Sequence, residues 1–213
     1  MNGIEWIVPV VLTVITASTP LVFAAIGELV TEKSGVLNLG VEGMMLVGAV
    51  SAFAVASSTG SGSLGIIAGA AAGALMAAIF GWLTLTLLAN QVATGLALTI
   101  FGVGFSALIG SAFVGFAIEP LPKLNLPGLS EIPIVGPLLF GQDFLVYLSF
   151  ASVFAVGWFL KNSHGGMVLR AVGESHDSAH AIGYNVIGIR YLATMFGGAM
   201  SGLGGAYLSL VYT

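Results

Sequence analysis

The sequence has no cysteine and very little charge. Only 7% of its 213 residues are Asp, Glu, Lys or Arg, whereas soluble domains carry roughly 25%. With 57% hydrophobic residues and a mean hydropathy of +1.06, its surface could not be solvated by water. We therefore predict an integral membrane protein. The absence of cysteine excludes disulfide bonds and thiolate metal sites.

Motifs for catalysis, metal binding and nucleic-acid binding are also missing. The chain contains no Gly-x-x-x-x-Gly-Lys-Ser/Thr loop, which cradles phosphate in many ATPases. His176 and His180 are four residues apart, but no third metal ligand stands at a suitable spacing. The five Lys and Arg residues form no basic run. We expect no enzyme activity, no bound metal, no cofactor and no nucleic-acid partner.

Six apolar segments are long enough to cross a bilayer as helices, which takes about 20 residues. They are residues 6–27, 36–57, 64–89, 91–116, 143–160 and 191–212. The predicted fold is all-α, a polytopic helical bundle that forms a single transmembrane domain over residues 1–213. The chain stops in its last apolar segment without a polar tail, so we expect a C-terminally truncated chain.

The positions of Lys and Arg predict the orientation, because these residues concentrate in cytoplasmic loops. Residues 161–190 hold three of the five, so this segment is predicted to be cytoplasmic. The segment 117–142, with five prolines, then lies outside, as does the N-terminus. The junction Asn90-Gln91 leaves almost no loop. It is either a tight turn or a re-entrant helix that would invert the upstream topology.

Asn38 and Glu42 are polar residues placed just inside the second apolar segment. A carboxylate in hydrocarbon is costly and usually has a function or a partner. On a helix the two residues would share one face, and Gly40 and Gly43 would permit a break. The pair is predicted to border a translocation path or gate. Alternatively, Glu42 caps a neighbouring helix or pairs with Lys33.

Asn90, Gln91 and Thr94 form a second polar cluster. They either border the same path or form a turn with its helix cap. Small residues also recur at every fourth position in the third and last spans, and the fourth span carries a small, weakly polar stripe of Thr94, Gly95, Thr99, Gly102 and Ser106. These stripes favour close helix–helix contact, although part of one stripe could instead line a path. In the third span they are Gly65, Gly69, Gly73, Ala77 and Gly81, and in the last Gly197, Ser201, Gly205 and Ser209, with Gly198, Gly202 and Ala206 beside them.

The predicted cytoplasmic segment 161–190 contains signals for a short helix of about two turns. Ser175 is suited to the N-cap and Gly183 to the position after the helix end. Arg170 and Glu174 lead into this helix. The segment either docks onto a soluble partner or is a solvated loop with one turn of helix.

Two blocks of the sequence resemble the permease subunits of ATP-binding-cassette importers, in the branch that serves branched-chain amino acids, simple sugars and nucleosides. The first block, 27–48, contains Ser-Gly-Val-Leu-Asn-Leu-Gly-Val-Glu-Gly-Met-Met. The second is Leu-Arg-Ala-Val-Gly-Glu at 169–174, continued by 181–186 and 201–210. With 89–98, they are most similar to the nucleoside-type permease. Ser175-His176 stands where this family often has Asn-Pro.

The resemblance implies a multi-pass subunit in the bacterial cytoplasmic (inner) membrane, with no ATPase site of its own. Two permease subunits, expected to be a heterodimer, would form the path through the lipid bilayer. An external binding protein or lipoprotein would deliver the solute. The similarity to the nucleoside-type permease implies that this solute is a nucleoside. A separate ATPase subunit would drive transport through the helix in 175–183.

The resemblance also implies roles for single residues. Arg170, Glu174, Asp177 and Gly183 would couple the permease to the ATPase. Asn38 and Glu42 would border the path. The alternatives are a simple-sugar or branched-chain amino acid permease of the same class, and an ion-coupled secondary transporter with Glu42 as the proton or sodium site. A purely structural membrane subunit is a further alternative, and a membrane enzyme is the least favoured because no acid–base pair or metal set converges.

Overall fold

The computed structural model describes residues 4–118, 121–122, 124 and 140–212, with side chains from residue 7 onward. The helices in this part of the chain are α1 (Ile4–Lys33), α2 (Val41–Thr59), α3 (Gly62–Gly81), α4 (Gln91–Gly110), α5 (Phe144–Asn162), α6 (His164–Glu174), α7 (His176–Ala181) and α8 (Val186–Val211). A π-helical turn, Trp82–Thr86, extends α3, and a 3-10 turn, Ser111–Phe113, extends α4. Six helices, α1 to α5 and α8, are long and apolar enough to span a membrane. The predicted all-α polytopic bundle is confirmed.

Helix α8 lies at the centre of the bundle and packs against α1, α2 and α3. Helix α4 packs on the far side of α2, and α5 packs on α1. The core contains bulky side chains such as Phe23, Phe80 and Tyr207, each fully buried. Large apolar side chains on α4 and α5, among them Ile100 and Phe154, stay exposed, as expected for helices that face hydrocarbon.

The small residues lie where helix backbones touch. The stripe in α3 is buried, and Gly73 faces the backbone of α8 at Gly198 and Gly202. A methyl group at Gly48 of α2 would lie 2.6 Å from the Cα atom of Gly202. In α1, a methyl group at Gly27 would lie 2.7 Å from the carbonyl oxygen of Gly197. Helix–helix contact is therefore the role of the stripes in α3 and α8, and Gly202 is shared by two neighbours of α8.

The boundary between the first two spans differs from the prediction. Helix α1 continues to Lys33, and α2 begins only at Val41, because Gly35 adopts a positive φ of 79° that ends α1. Residues 34–40, here named the α1–α2 connection, are not helical. Asn38 and Glu42 therefore do not share a helix face, and that prediction was wrong. Hydropathy could not find the break, because the connection is almost as apolar as the helices beside it.

The last span also begins earlier than expected. Asn185 caps α8 by accepting a hydrogen bond from the Gly188 N–H at 3.0 Å, so the helix starts at Val186 and not at 191. Arg190 thus lies inside a helix. Most of the segment 161–190, predicted to contain one short helix, is helical as α6, α7 and the start of α8.

The α1–α2 connection, the α3–α4 turn and helix α6 lie at one end of the bundle. The α1–α2 connection contacts Gln91 after the α3–α4 turn and Gly173 in α6. At the other end, Leu121 packs against Gly62 and donates its N–H to the Leu210 carbonyl at 3.3 Å. The junction at residues 90–91 is therefore a tight turn between two spans. Most of the predicted outer loop 117–142 lies outside the described residues, and which end faces the cytoplasm stays a prediction.

We expect Gly102→Ala to destabilise the protein by about 1–3 kcal/mol, because overpacked contacts force the backbone apart. The added methyl group would lie 2.6 Å from the Gly43 Cα atom, where α4 crosses α2. The control is Gly104→Ala in the same helix, which meets no atom within 4 Å and should be neutral or stabilising by about 0.5–1 kcal/mol. Thermal unfolding in detergent measures both. Equal unfolding temperatures for the two variants would contradict this crossing.

Candidate functional site

The α1–α2 connection is an irregular segment next to membrane-spanning helices, and its backbone polar groups need partners there. Side chains from other helices supply them. The Leu37 N–H donates to Gln91 Oε1 of α4 at 2.8 Å. The Leu39 carbonyl accepts from Thr99 Oγ1, also of α4, at 3.1 Å. Helix α4 therefore holds the connection through two side chains, and Thr99 Oγ1 also lies within hydrogen-bond distance, 3.2 Å, of the Gly95 carbonyl in its own helix.

Asn38 is 2% exposed and holds the connection from within. Its Oδ1 atom accepts from the Gly40 N–H at 2.9 Å, and its Nδ2 atom donates to Met44 Sδ at 3.4 Å. The first of these bonds is a local turn typical of Asn. Asn38 therefore shapes the entry into α2. Its predicted role at a path or gate is not tested by this burial.

Glu28 is the carboxylate that the structure brings into the site, and the sequence reasoning missed it. It stands on α1 and accepts the Asn38 N–H at Oε1, 3.1 Å away. Its Oε2 atom is buried and has no hydrogen-bond partner among the described residues. A buried oxygen without a partner is costly. The available signal was a glutamate in an apolar helix, but the predicted span ended one residue before it.

Glu42 lies closer to the start of its helix than predicted. It is the second residue of α2 and is exposed, so it is not deep inside a span. A carboxylate in the first turn of a helix is favourable, because the exposed N–H groups there carry partial positive charge. It makes no ion pair with Lys33 in the described part of the chain. Its predicted place on a path or gate stays untested.

The three residues of the second polar cluster, Asn90, Gln91 and Thr94, have different partners. Asn90 caps α4, with Oδ1 accepting from the Ala93 N–H at 3.0 Å, so the interpretation as a turn with its cap holds for this residue. Gln91 points to the α1–α2 connection instead. Asn90 and the half-buried Thr94 line a mostly apolar cavity of about 500 Å³ beside the α3–α4 turn. Asn90 and Thr94 thus share this cavity, and Gln91 is not one of its lining residues.

Helices α6 and α7 pack directly against the α1–α2 connection. Gly173 of α6 abuts the Lys33 carbonyl, and a methyl group there would lie 3.1 Å from the Gly35 nitrogen. A methyl group at Gly35 would lie 3.0 Å from His176 Cε1 of α7. From the other side, Arg190 of α8 donates a hydrogen bond from Nη2 to the Gly35 carbonyl. The connection is therefore clamped between α6–α7 and α8.

The predicted caps of α7 are confirmed. Ser175 Oγ accepts from the Ser178 N–H at 3.4 Å. Gly183 has a φ of 97° and donates to the His180 carbonyl at 2.9 Å, while Tyr184 donates to the Ala179 carbonyl at 3.1 Å. This bonding pattern is a Schellman motif, which ends a helix sharply.

The four residues predicted to couple the chain to an ATPase are all exposed on this end of the bundle: Arg170, Glu174, Asp177 and Gly183. Their role in coupling is untested. Among the described residues, no three His, Asp or Glu side chains come together in a group that could hold a metal ion.

Comparison with known proteins gives a family match over residues 10–213, to the branched-chain amino acid transport system permease component. The chain is 40% identical over 203 residues to a putative glucose ABC transporter permease of Haloferax volcanii. It is 31% identical over 200 residues to the guanosine ABC transporter permease of Bacillus subtilis, and 30% identical over 218 residues to the nucleoside ABC transporter permease of Lactococcus lactis.

These alignments cover 93%, 88% and 97% of the chain, respectively. They cover 62%, 63% and 68% of the relatives' own lengths, so the chain spans a little under two thirds of the first two. No solved structure matches.

We expect Glu28→Ala to destabilise the protein by about 1–3 kcal/mol, because it removes the acceptor for the buried Asn38 N–H. Glu28→Gln keeps a carbonyl oxygen in the same place and should cost less than about 1 kcal/mol. Thermal unfolding in detergent separates the two variants. If both lose the same stability, the charge of Glu28 matters more than its hydrogen bond, and the assigned role is wrong.

Proposed function

The chain belongs to the permease family of ATP-binding-cassette importers in the branched-chain amino acid branch, and from this we propose that it forms part of a solute path driven by ATP hydrolysis on a separate subunit. It is a multi-pass membrane protein, and the proposed location is the cytoplasmic membrane. Members of this family are transport components, so the proposed role is conduction and gating with no covalent chemistry.

The observation that carries this proposal is the clamp on the α1–α2 connection. Helices α6 and α7 present Arg170, Glu174 and Asp177 to solvent on one side. On the other side α6 touches the backbone of the connection at Gly173, with no flexible side chain between them. A push on α6 and α7 is therefore passed to α1 and α2, because packed backbone cannot absorb the displacement.

The proposed partners follow from the family. An ATPase subunit would bind the exposed face of α6 and α7. A second permease subunit, in a heterodimer, would complete the path, and an external binding protein or lipoprotein would deliver the solute. The exposed apolar faces of α4 and α5 are available to a second subunit or to lipid.

The proposed solute is a nucleoside, and a simple sugar is the second candidate. Of the three relatives reported above, two are named for guanosine and nucleosides, and the one with 40% identity is named for glucose. These solutes share hydroxyl groups on a sugar ring. A branched-chain amino acid is supported only by the description of the family. Ion coupling through Glu42 has no support from the relatives, all three of which are named as ABC transporter permeases.

We expect Glu174→Ala to uncouple ATP hydrolysis from uptake without unfolding the protein, because the side chain is exposed and its loss opens no cavity. The complete transporter in proteoliposomes provides both rates. Glu32→Ala, an exposed glutamate outside α6 and α7, is the matched control and should retain coupling. Wild-type uptake together with wild-type stimulated ATPase activity in Glu174→Ala would exclude this coupling role.

The solute is identified by competition in the same proteoliposomes. With ATP inside and labelled nucleoside outside, we expect unlabelled nucleosides to suppress uptake and leucine to leave it unchanged. Uptake of labelled glucose without uptake of labelled nucleoside in the same proteoliposomes would replace the nucleoside with the sugar. Uptake that follows a proton or sodium gradient without ATP would overturn the proposed function itself.

A further inference from the structure

A hydrogen bond joins the start of α8 to the end of α3. Tyr191 Oη and Thr86 Oγ1 are 2.6 Å apart, although the two residues are separated by 105 positions in sequence. The Tyr191 ring also packs on α3, since a methyl group at Gly81 would lie 3.0 Å from its Cε1 atom. The phenol therefore contacts α3 through both its ring and its hydroxyl group.

The segment that Tyr191 holds is irregular. Thr86 is the last residue of the π-helical turn Trp82–Thr86, and π-helical turns often occur at functional sites. Two residues later, Leu88 adopts a positive φ of 56°, which costs a non-glycine residue roughly 1–2 kcal/mol. The α3–α4 turn that follows carries Asn90, and the cavity lined by Asn90 and Thr94 lies beside it. Backbone in uncommon conformations persists only where its surroundings hold it.

Arg190 and Tyr191 are adjacent in α8 but reach different parts of the protein. Successive residues of an α-helix point about 100° apart. Arg190 therefore donates to the Gly35 carbonyl in the α1–α2 connection, while Tyr191 reaches Thr86 before the α3–α4 turn. Only residues 182–185, with the Schellman turn at Gly183, separate α7 from α8.

We infer that Arg190 and Tyr191 are positioning residues that pass a displacement of α7 to two connections at once. Arg190 moves the α1–α2 connection, and Tyr191 moves the π-helical end of α3 and the turn after it. The four spans α1 to α4 then respond together. This inference rests on the proposed function, because it concerns how the work of ATP hydrolysis reaches the spans.

The test is Tyr191→Phe in the complete transporter in proteoliposomes, which removes only the hydroxyl group. We expect the number of solute molecules moved per ATP hydrolysed to fall about threefold to tenfold. This fold-change corresponds to the net free energy of one hydrogen bond. Thr86→Val should give the same fall, and the double variant should be no worse than either single variant, because all three lose the same bond. Thr86→Ser keeps a hydroxyl group and should restore the ratio.

Tyr212→Phe is the matched control, since Tyr212 is an exposed tyrosine just past the opposite end of α8. It should leave the transport ratio unchanged. A wild-type ratio in Tyr191→Phe overturns the inference. So does a lower unfolding temperature with uptake and ATPase activity reduced in parallel, because that pattern indicates a purely structural bond. Failure of the wild-type transporter to use ATP would instead overturn the proposed function, so the two failures are distinguishable.

Discussion

Hydrogen bonding of the irregular backbone between α1 and α2 is the constraint on which the rest of the structure depends. Backbone outside a helix is tolerated near hydrocarbon only where protein groups satisfy it. Glu28, Gln91 and Thr99 supply those groups from two helices, and Asn38 supplies one from within. Because these bonds fix the connection, α1, α2 and α4 cannot move independently at this end of the bundle.

Close packing by glycine makes this arrangement stiff. Lipid chains are as apolar as the helices, so association depends on backbone approach rather than on the hydrophobic effect. Gly202 lets α8 touch both α2 and α3, and Gly173 brings α6 onto the Lys33 carbonyl. Under the proposed function such stiffness is required, since a compressible contact would absorb the displacement before it reached the spans.

The structure thus contains two sets of contacts that connect α6 and α7 to the spans. One is the direct backbone contact at Gly173, and the other passes through the start of α8. The first ends at the α1–α2 connection near Asn38, and the second reaches both that connection and the turn that carries Asn90. Under the proposed function, these contacts are where a displacement from an ATPase subunit would enter the spans.

The sequence alone determined the class of protein, the number of spans, the helix caps at Ser175 and Gly183, and the family. These depend on composition, on short-range turn chemistry and on a local pattern of residues, all of which are readable along the chain. Only the tertiary structure decided that Glu28 and Asn38 meet, that Glu42 is exposed in the first turn of α2, and that the Gln91 side chain bonds the Leu37 N–H. Those contacts join residues on different helices, and hydropathy records neither the break at Gly35 nor the direction in which a side chain points.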